Sequence, residues 1–287
     1  MRITGRTRLA GIMGWPVGHS RSPQLHGFWL EQYGIDGAYL PLPVRPEHLP
    51  EALRALPILG FRGCNLTIPH KEKALLLVDR VDAEARRIGA VNTIIVTEEG
   101  KLEGRNTDSL GFRQNLLECA PEWDGRRAAA VVLGAGGASR AVVAALLDLG
   151  VPGVRLVNRS RERALALGRD LGGTEGAISV HAWEERSRLL AGAGLLVNTT
   201  NLGMEGEAPL ELDLDRLPLS APVADLVYAP LETALLAAAR EKGHRVIDGL
   251  GTLLHQGRPG FEAWFGVAVS VTPAQRAAVA ATLKESR

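Results

Sequence analysis

Four short segments in the first part of the chain collect side chains that bind or protonate oxygen. In the run Gly14-Trp-Pro-Val-Gly-His-Ser-Arg-Ser-Pro23, the hydroxyls of Ser20 and Ser22 stand two residues apart, where a helix should start. Such hydroxyls beside a helix N-terminus can hold a small carboxylate without a dedicated arginine. Ser22 is also a good N-cap in its own right, a local reason that Ser20 lacks. Asn65, Thr67 and Lys71 fall in Asn65-Leu-Thr-Ile-Pro-His-Lys71, at a strand end and the start of a helix. A lysine in a first helical turn opposes the helix dipole, so it is either splayed into solvent or kept for proton transfer. Asn92, within Gly89-Ala-Val-Asn-Thr93, adds an amide. Asp108, after Asn106-Thr107, adds a carboxylate that also suits a helix N-cap.

A different chemistry is written into Gly134-Ala-Gly-Gly-Ala-Ser139, which follows the apolar run Ala129-Ala-Val-Val-Leu133. Gly134 permits a tight turn, while Gly136 and Gly137 let the backbone approach a pyrophosphate at a helix N-terminus. Ser139 stands where the dinucleotide fingerprint has its last glycine, so the strand–turn–helix context carries the assignment. About 20 residues further on, NAD-binding folds end their second strand in an acid that holds the ribose 2′-hydroxyl. Here Arg155-Leu-Val157 ends in Asn158-Arg159-Ser160, with Arg163 one turn into the next helix. Two planar guanidinium groups favour the 2′-phosphate of NADP over NAD, the alternative being a solvated helix face.

Positioning these groups takes two domains. The chain's 287 residues amount to about twice the ~150 of an ordinary domain. Short β-type runs alternate with longer helical ones, the pattern of parallel-sheet α/β architecture. In the first domain the expected strands are 9–13, 38–43 and 60–66, with a hairpin of 91–96 and 101–104. Its helices are 22–33, 46–56, one from Pro69 and one at 83–88, and helix 108–119 is the expected hinge element. The polar segment 121–127 marks a boundary. Beyond it, strands near 129–133, 154–157, 195–198, 223–227 and 245–247 alternate with a helix through Leu149 and helices 161–171 and 232–242, as a doubly wound, Rossmann-like unit. Helices 251–265 and 273–284 should fold back onto the first lobe. The expected division is therefore 1–112, completed by 250–287, and 113–249.

Composition limits the function classes. Hydrophobic residues at 46% and charged residues at 23% exclude wholesale disorder. A net charge of +1 offers no basic field to hold nucleic acid or an anionic membrane. Glycine, 33 residues in all, exceeds the usual ~7% and implies many tight turns. Cys64 and Cys119 cannot build a disulfide framework or a four-cysteine metal site, and the seven histidines show no i, i+4 pair. The expectation is a cytoplasmic protein without a metal. The longest apolar stretch, 128–138, is far short of the ~18 residues of a membrane span. Arg2, Arg6 and Arg8 before the apolar run 9–15 imitate a signal peptide, but Pro16 interrupts it and no small-x-small cleavage site follows.

Taken together and in this order, the segments resemble the shikimate dehydrogenase family. The likeness runs through GxPxxHSxSPxxH (Gly14 to His26), NxTxPxK (Asn65 to Lys71), GAVNT (Gly89 to Thr93), NTD (Asn106 to Asp108) and GAGGASRA (Gly134 to Ala141). It continues through the Asn158-Arg-Ser segment, Asp225-Leu-Val-Tyr-Ala-Pro230 with Thr233, and the glycine-led helix ending in Gln256. The resemblance implies that Ser20 and Ser22 bind a substrate carboxylate. It implies that Asn65, Thr67, Asn92, Asp108 and Gln256 hold ring hydroxyls, and that Lys71 paired with Asp108 is catalytic. Gly134, Gly136, Gly137 and Ala138 would line the NADP(H) pyrophosphate, and Asn158, Arg159 and Arg163 the 2′-phosphate. Asn198, Thr199, Leu226, Gly249 and Leu253 would lie on the nicotinamide side, with Tyr228 there beside the substrate.

The implied reaction is reversible NADPH-dependent reduction of 3-dehydroshikimate to shikimate, in aromatic amino-acid (chorismate) biosynthesis. The alternatives are a quinate/shikimate dehydrogenase of broader use and a non-catalytic NADPH-binding regulator. The partner is a small molecule, not nucleic acid or membrane, and a homodimer is compatible with the helical surface of the first domain. The chain departs from the family pattern at Gly27, where Asn is common, at Thr199-Thr200-Asn201-Leu202, and at Leu253, where Met is common.

Overall fold

The computed structural model describes residues 3–172 and 176–283. Lys284, the expected end of the last helix, and Arg2 of the signal-like segment lie outside the described residues. The chain divides into two compact units, one of 1–107 with 253–287 and the other of 108–252.

In the first unit, β1 (Arg8–Gly14), β2 (Gly37–Pro43) and β3 (Phe61–Leu66) form a parallel group. Between them run α1 (Ser22–Gln32) and α2 (Leu49–Ile58), the latter entered through a 3-10 turn at Pro46–His48 where one continuous helix was expected. Pro50 at the start of α2 explains the break, since a proline's fixed φ suits a first helical turn but not a helix interior. The helix expected from Pro69 is a single turn, α3 (Lys71–Ala74). Then come β4 (Arg80–Val81), α4 (Ala83–Ile88) and the hairpin β5 (Thr93–Val96) and β6 (Leu102–Arg105). The six-stranded sheet has the order β2-β1-β3-β5-β6-β4, with β3/β5 and β5/β6 antiparallel.

In the second unit, α5 (Asp108–Cys119) precedes β7 (Ala130–Leu133), α6 (Gly137–Asp148), β8 (Val154–Val157) and α7 (Arg161–Leu171). Then follow β9 (Ile178–His181), β10 (Leu195–Asn198), β11 (Val223–Asp225), α8 (Ala234–Glu241) and β12 (Val246–Ile247). All six strands run parallel in the order β12-β11-β10-β7-β8-β9. The strand order reverses between β7 and β10, which in such sheets opens a crevice at the strands' C-terminal ends. Strands covered on both faces become continuous apolar runs, and β7 and β10 are wholly buried.

The last elements are α9 (Gly249–Phe265) and α10 (Pro273–Thr282). From Leu253 onward they belong to the first unit, so the expected fold-back is present. Trp264 on α9 donates from Nε1 to the Ile94 carbonyl at 2.9 Å, and Arg8 reaches the Phe265 carbonyl at 2.6 Å. Among the described residues, no helix is long and apolar enough to cross a membrane.

Gly63 in β3 is needed for this seating. Its φ is +148°, and a Cβ there would lie 2.0 Å from the Ile94 oxygen and 2.4 Å from Trp264 Nε1. Both atoms form the hydrogen bond that anchors α9. Gly63→Ala should therefore cost at least about 2 kcal/mol, measured by urea unfolding. A change below about 0.5 kcal/mol would show that the contact is not needed.

Candidate active site

In the first unit the polar residues gather where β1 and β3 end. Asn65 pairs in register with Ile12 of β1 and Thr93 of β5. The Thr67 amide donates to the Met13 carbonyl at 2.9 Å, holding the strand-end loop across the top of β1. Gly14 makes room for it, because a Cβ there would lie 2.3 Å from the Thr67 methyl. The buried His70 ring reaches the Val44 carbonyl from Nε2 at 2.8 Å, anchoring the start of α3. Burial holds the His70 pKa below its usual value. Lys71 is the first residue of that helix and is half-buried, so it is not splayed into solvent.

A chain of hydrogen bonds joins the amides and hydroxyls. Tyr39 donates from its hydroxyl to Asn65 Oδ1 at 2.6 Å. Asn65 Nδ2 donates to the Asn92 carbonyl at 3.1 Å and to Thr93 Oγ1 at 3.0 Å. Thr93 Oγ1 donates to Asn92 Oδ1 at 2.9 Å, which also accepts the Thr107 amide at 2.8 Å. Asn92 Nδ2 donates to Thr107 Oγ1 at 3.0 Å and to Gln256 Oε1 at 3.1 Å, and Thr107 Oγ1 donates to the Gln256 carbonyl at 2.9 Å. The network thus reaches from β3 through β5 to α9 and brings Asn65, Asn92 and Gln256 together. Both donors and both acceptor sites of the Asn92 amide are used by the protein, so a ligand reaches it only by displacing one of them.

The serine pair differs from the sequence reading. Ser22 is not an N-cap but the first residue of α1, after Arg21. Ser20 does have a local role, because its Oγ accepts the Ser22 amide at 3.2 Å. Both serines are buried beside that helix start. Asp108 is the first residue of α5 and of the second unit, and it is half-buried.

In the second unit, Gly134 has φ +112° and Gly136 is the N-cap of α6. A Cβ on Gly136 would meet only Arg163 Nη2, at 4.0 Å, so the turn is an open cradle with a guanidinium on its border. That is the shape and charge a dinucleotide's phosphates require. Arg159 and Arg163 are exposed, and Asn158 bridges to the Ser160 carbonyl at 2.8 Å.

Ser139, where the fingerprint has glycine, and Thr199 form a pair of hydroxyls behind the turn. Ser139 Oγ accepts the Gly136 amide at 3.2 Å and lies 2.5 Å from Thr199 Oγ1, which donates to the Leu133 carbonyl at 2.6 Å. The Thr199 hydroxyl therefore braces the glycine turn. Asn198 likewise faces inward, donating to Asp225 Oδ1 at 2.9 Å and accepting from Thr200. Gly249 admits the Leu226 carbonyl, 2.2 Å from where its Cβ would be. Leu226 and Tyr228 are half-buried, and Leu253 is buried in the first unit.

Sequence reasoning passed over Thr93 and Thr107, although both stand inside motifs it singled out. It gave no role to Tyr39, which reads as an ordinary apolar strand residue. Asp225 was read only as part of a motif. It is 1% exposed and accepts from Asn198 Nδ2, the Val227 amide and Thr233 Oγ1.

Parallel strands feeding a glycine turn, with a second sheet that gathers amides and hydroxyls, define a two-domain α/β protein whose second domain is Rossmann-like. A family model, the shikimate dehydrogenase substrate binding domain, matches residues 12–94. A shikimate dehydrogenase (NADP(+)) of Paramagnetospirillum magneticum is 59% identical over 277 residues, covering 96% of this chain and 99% of that one. The chain belongs to the shikimate dehydrogenase family. A shikimate 5-dehydrogenase from Thermus thermophilus, solved in complex with NADP(H) and shikimate, superimposes with a TM-score of 0.82 at 38% identity, over 96% of this chain and 100% of that one. A quinate dehydrogenase from Corynebacterium glutamicum in complex with NAD gives 0.86 at 31% identity, over 95% and 98%.

Burial raises the Asp225 carboxyl from 3.8 to about 6, against the three donors that favour its ionised form. A carboxyl with a native pKa above its unfolded value weakens the fold as it ionises. Its contribution is thus fully present below about pH 4 and is lost as pH rises through about 6. Between those limits wild-type stability should fall by about 2–3 kcal/mol relative to Asp225→Asn. Parallel stability curves for the two proteins would contradict this.

Proposed function

We propose that the chain is an NADP-dependent shikimate dehydrogenase, which reduces 3-dehydroshikimate to shikimate reversibly on the way to aromatic amino acids. The observation that supports it most is the continuous strand-end of Asn65 and Thr67 leading directly into Lys71. One segment thereby offers hydrogen bonds to a polyol and a proton source for a ketone. NADPH, when bound, supplies the hydride for the C3 carbonyl carbon. Gly134, Gly136, Gly137 and Ala138 would hold its pyrophosphate, and Arg159 and Arg163, with Asn158, its 2′-phosphate.

Alkoxide character builds on the C3 oxygen during reduction. The Lys71 ammonium stabilises that charge and donates the proton, and the reverse direction returns it. Asp108 is assigned with Lys71 to the proton-transfer machinery. Ser20 and Ser22 hold the ring carboxylate by their hydroxyls, and Thr67, Asn65 and Gln256 hold ring hydroxyls. Asn92 orients Gln256 and the Thr107 segment. Tyr228 serves the substrate from the second unit, where Leu226 and Gly249 shape the nicotinamide side.

Similarity to the quinate dehydrogenase supports a second reading, in which quinate or NAD is also accepted. The carboxylate-free end of β8, with Arg159 and Arg163 beyond it, favours NADP. The reading places the enzyme in the cytoplasm, in keeping with two free cysteines. It is compatible with a homodimer, which sedimentation would read directly.

Lys71→Ala should lower kcat by about 10²–10⁴ with little change in the KM for shikimate. A kcat within threefold of wild type would remove the lysine from the reaction. Arg159→Ala should weaken NADPH by about 10- to 150-fold while sparing NADH, because a charge-assisted bond contributes about 1.5–3 kcal/mol. An unchanged preference between the two cofactors would refute the 2′-phosphate assignment.

A further inference from the structure

Tyr39 lies on β2, outside every motif that marks the site. Its hydroxyl donates to Asn65 Oδ1, and its ring stacks on the imidazole of His26 with centroids 4.0 Å apart and planes 3° from parallel. His26 is fully buried, packs edge-on against Trp29 at 5.5 Å, and has no hydrogen bond at either ring nitrogen. Burial pushes its pKa down to about 3, so the ring under Tyr39 stays uncharged across the working pH range. Phe261 and Trp264 of α9 complete the aromatic box, at 5.8 Å and 5.6 Å from the imidazole. A tyrosine so enclosed has little freedom to aim its hydroxyl elsewhere.

The consequence falls on Asn65. Both of its amide hydrogens are engaged, by the Asn92 carbonyl and Thr93 Oγ1, and Tyr39 occupies one of the two acceptor positions of Oδ1. Turning the amide over would set Oδ1 against the Asn92 carbonyl and reverse the Thr93 hydroxyl, which already donates to Asn92. Asn65 therefore has one hydrogen-bonding capacity left, and it is an acceptor.

We propose that Tyr39 is a positioning residue which, held on the His26 ring, fixes Asn65 as a hydrogen-bond acceptor for a substrate hydroxyl that the reaction does not oxidise. An acceptor repels a ketone oxygen, so the group facing Asn65 must be an alcohol in both substrate and product. The C3 oxygen, alcohol on one side and ketone on the other, is thereby excluded from Asn65. This deepens the shikimate dehydrogenase reading and rests on it.

Tyr39→Phe keeps the ring on His26 and removes only the donor. It should raise the KM for shikimate and for 3-dehydroshikimate by the same factor, about three- to tenfold. The kcat and the KM for NADP⁺ should stay within twofold of wild type, a split that general loosening of the fold would not produce. Calorimetric binding of shikimate without cofactor should weaken by the same factor as its KM. Unchanged affinity for both ring compounds, or an equal rise in the KM for NADP⁺, would overturn the role of Tyr39. A rise confined to one of the two ring compounds would overturn the exclusion of the reacting oxygen. A wild-type protein that neither binds nor oxidises shikimate would instead overturn the reading of function itself.

Discussion

The first unit depends on one constraint, that an amide buried among apolar side chains must have its hydrogen bonds made by the protein. Asn92 is 1% exposed and Asn65 3%, and each is surrounded by donors and acceptors of opposite sense. Because Asn92 needs Gln256 and Thr107, α9 must return from the second unit's last strand to the first unit's sheet. Losing one partner would strand a buried polar group, a cost of about 1–3 kcal/mol. The same bonds that seat the C-terminal helix set which way each amide faces, so structure and recognition share one network.

The second unit meets its constraint differently. A glycine turn that must leave space for a ligand has few side chains of its own to hold it. Ser139 and Thr199 supply the bracing from behind, between the Gly136 amide and the Leu133 carbonyl. Beside them Asp225 gathers Asn198, Thr233 and the Val227 amide at the end of β11. The second unit thus places its polar groups at the C-terminal ends of strands, and the first unit gathers Asn65 near the end of β3 against Asn92 and Thr93 at the start of the antiparallel β5, where backbone leaves the sheet and side chains converge.

The architecture was legible where local signals agree. An apolar run, a glycine turn and a helix made β7 and α6 plain, and Asp108 to Cys119 begins and ends where its sequence says. Elements whose stability comes from their neighbours were not legible. Strand β9, Ile178-Ser-Val-His181, has too few apolar residues to declare itself and forms by pairing with β8. The two residues of β4 exist only as a partner to β6. In the site, motif residues such as Asn65, Thr67 and Lys71 stood out by type. The direction in which each side chain donates did not, because it is decided by contacts across long separations, such as Tyr39 with Asn65 and Asn92 with Gln256. The serine pair shows the same limit. Ser22 has the composition of a cap, yet Ser20 takes the backbone amide.

The central claim is that amide, hydroxyl and lysine groups on one unit and an arginine-bordered glycine turn on the other make an NADP-dependent shikimate dehydrogenase. The most direct measurement is the absorbance of reduced nicotinamide when purified protein meets shikimate or quinate, each with NADP⁺ or NAD⁺. The account requires turnover with shikimate and NADP⁺, far above the other three combinations. Comparable rates with NAD⁺ would contradict the role given to Arg159 and Arg163, and no turnover of shikimate by folded protein would contradict the account as a whole.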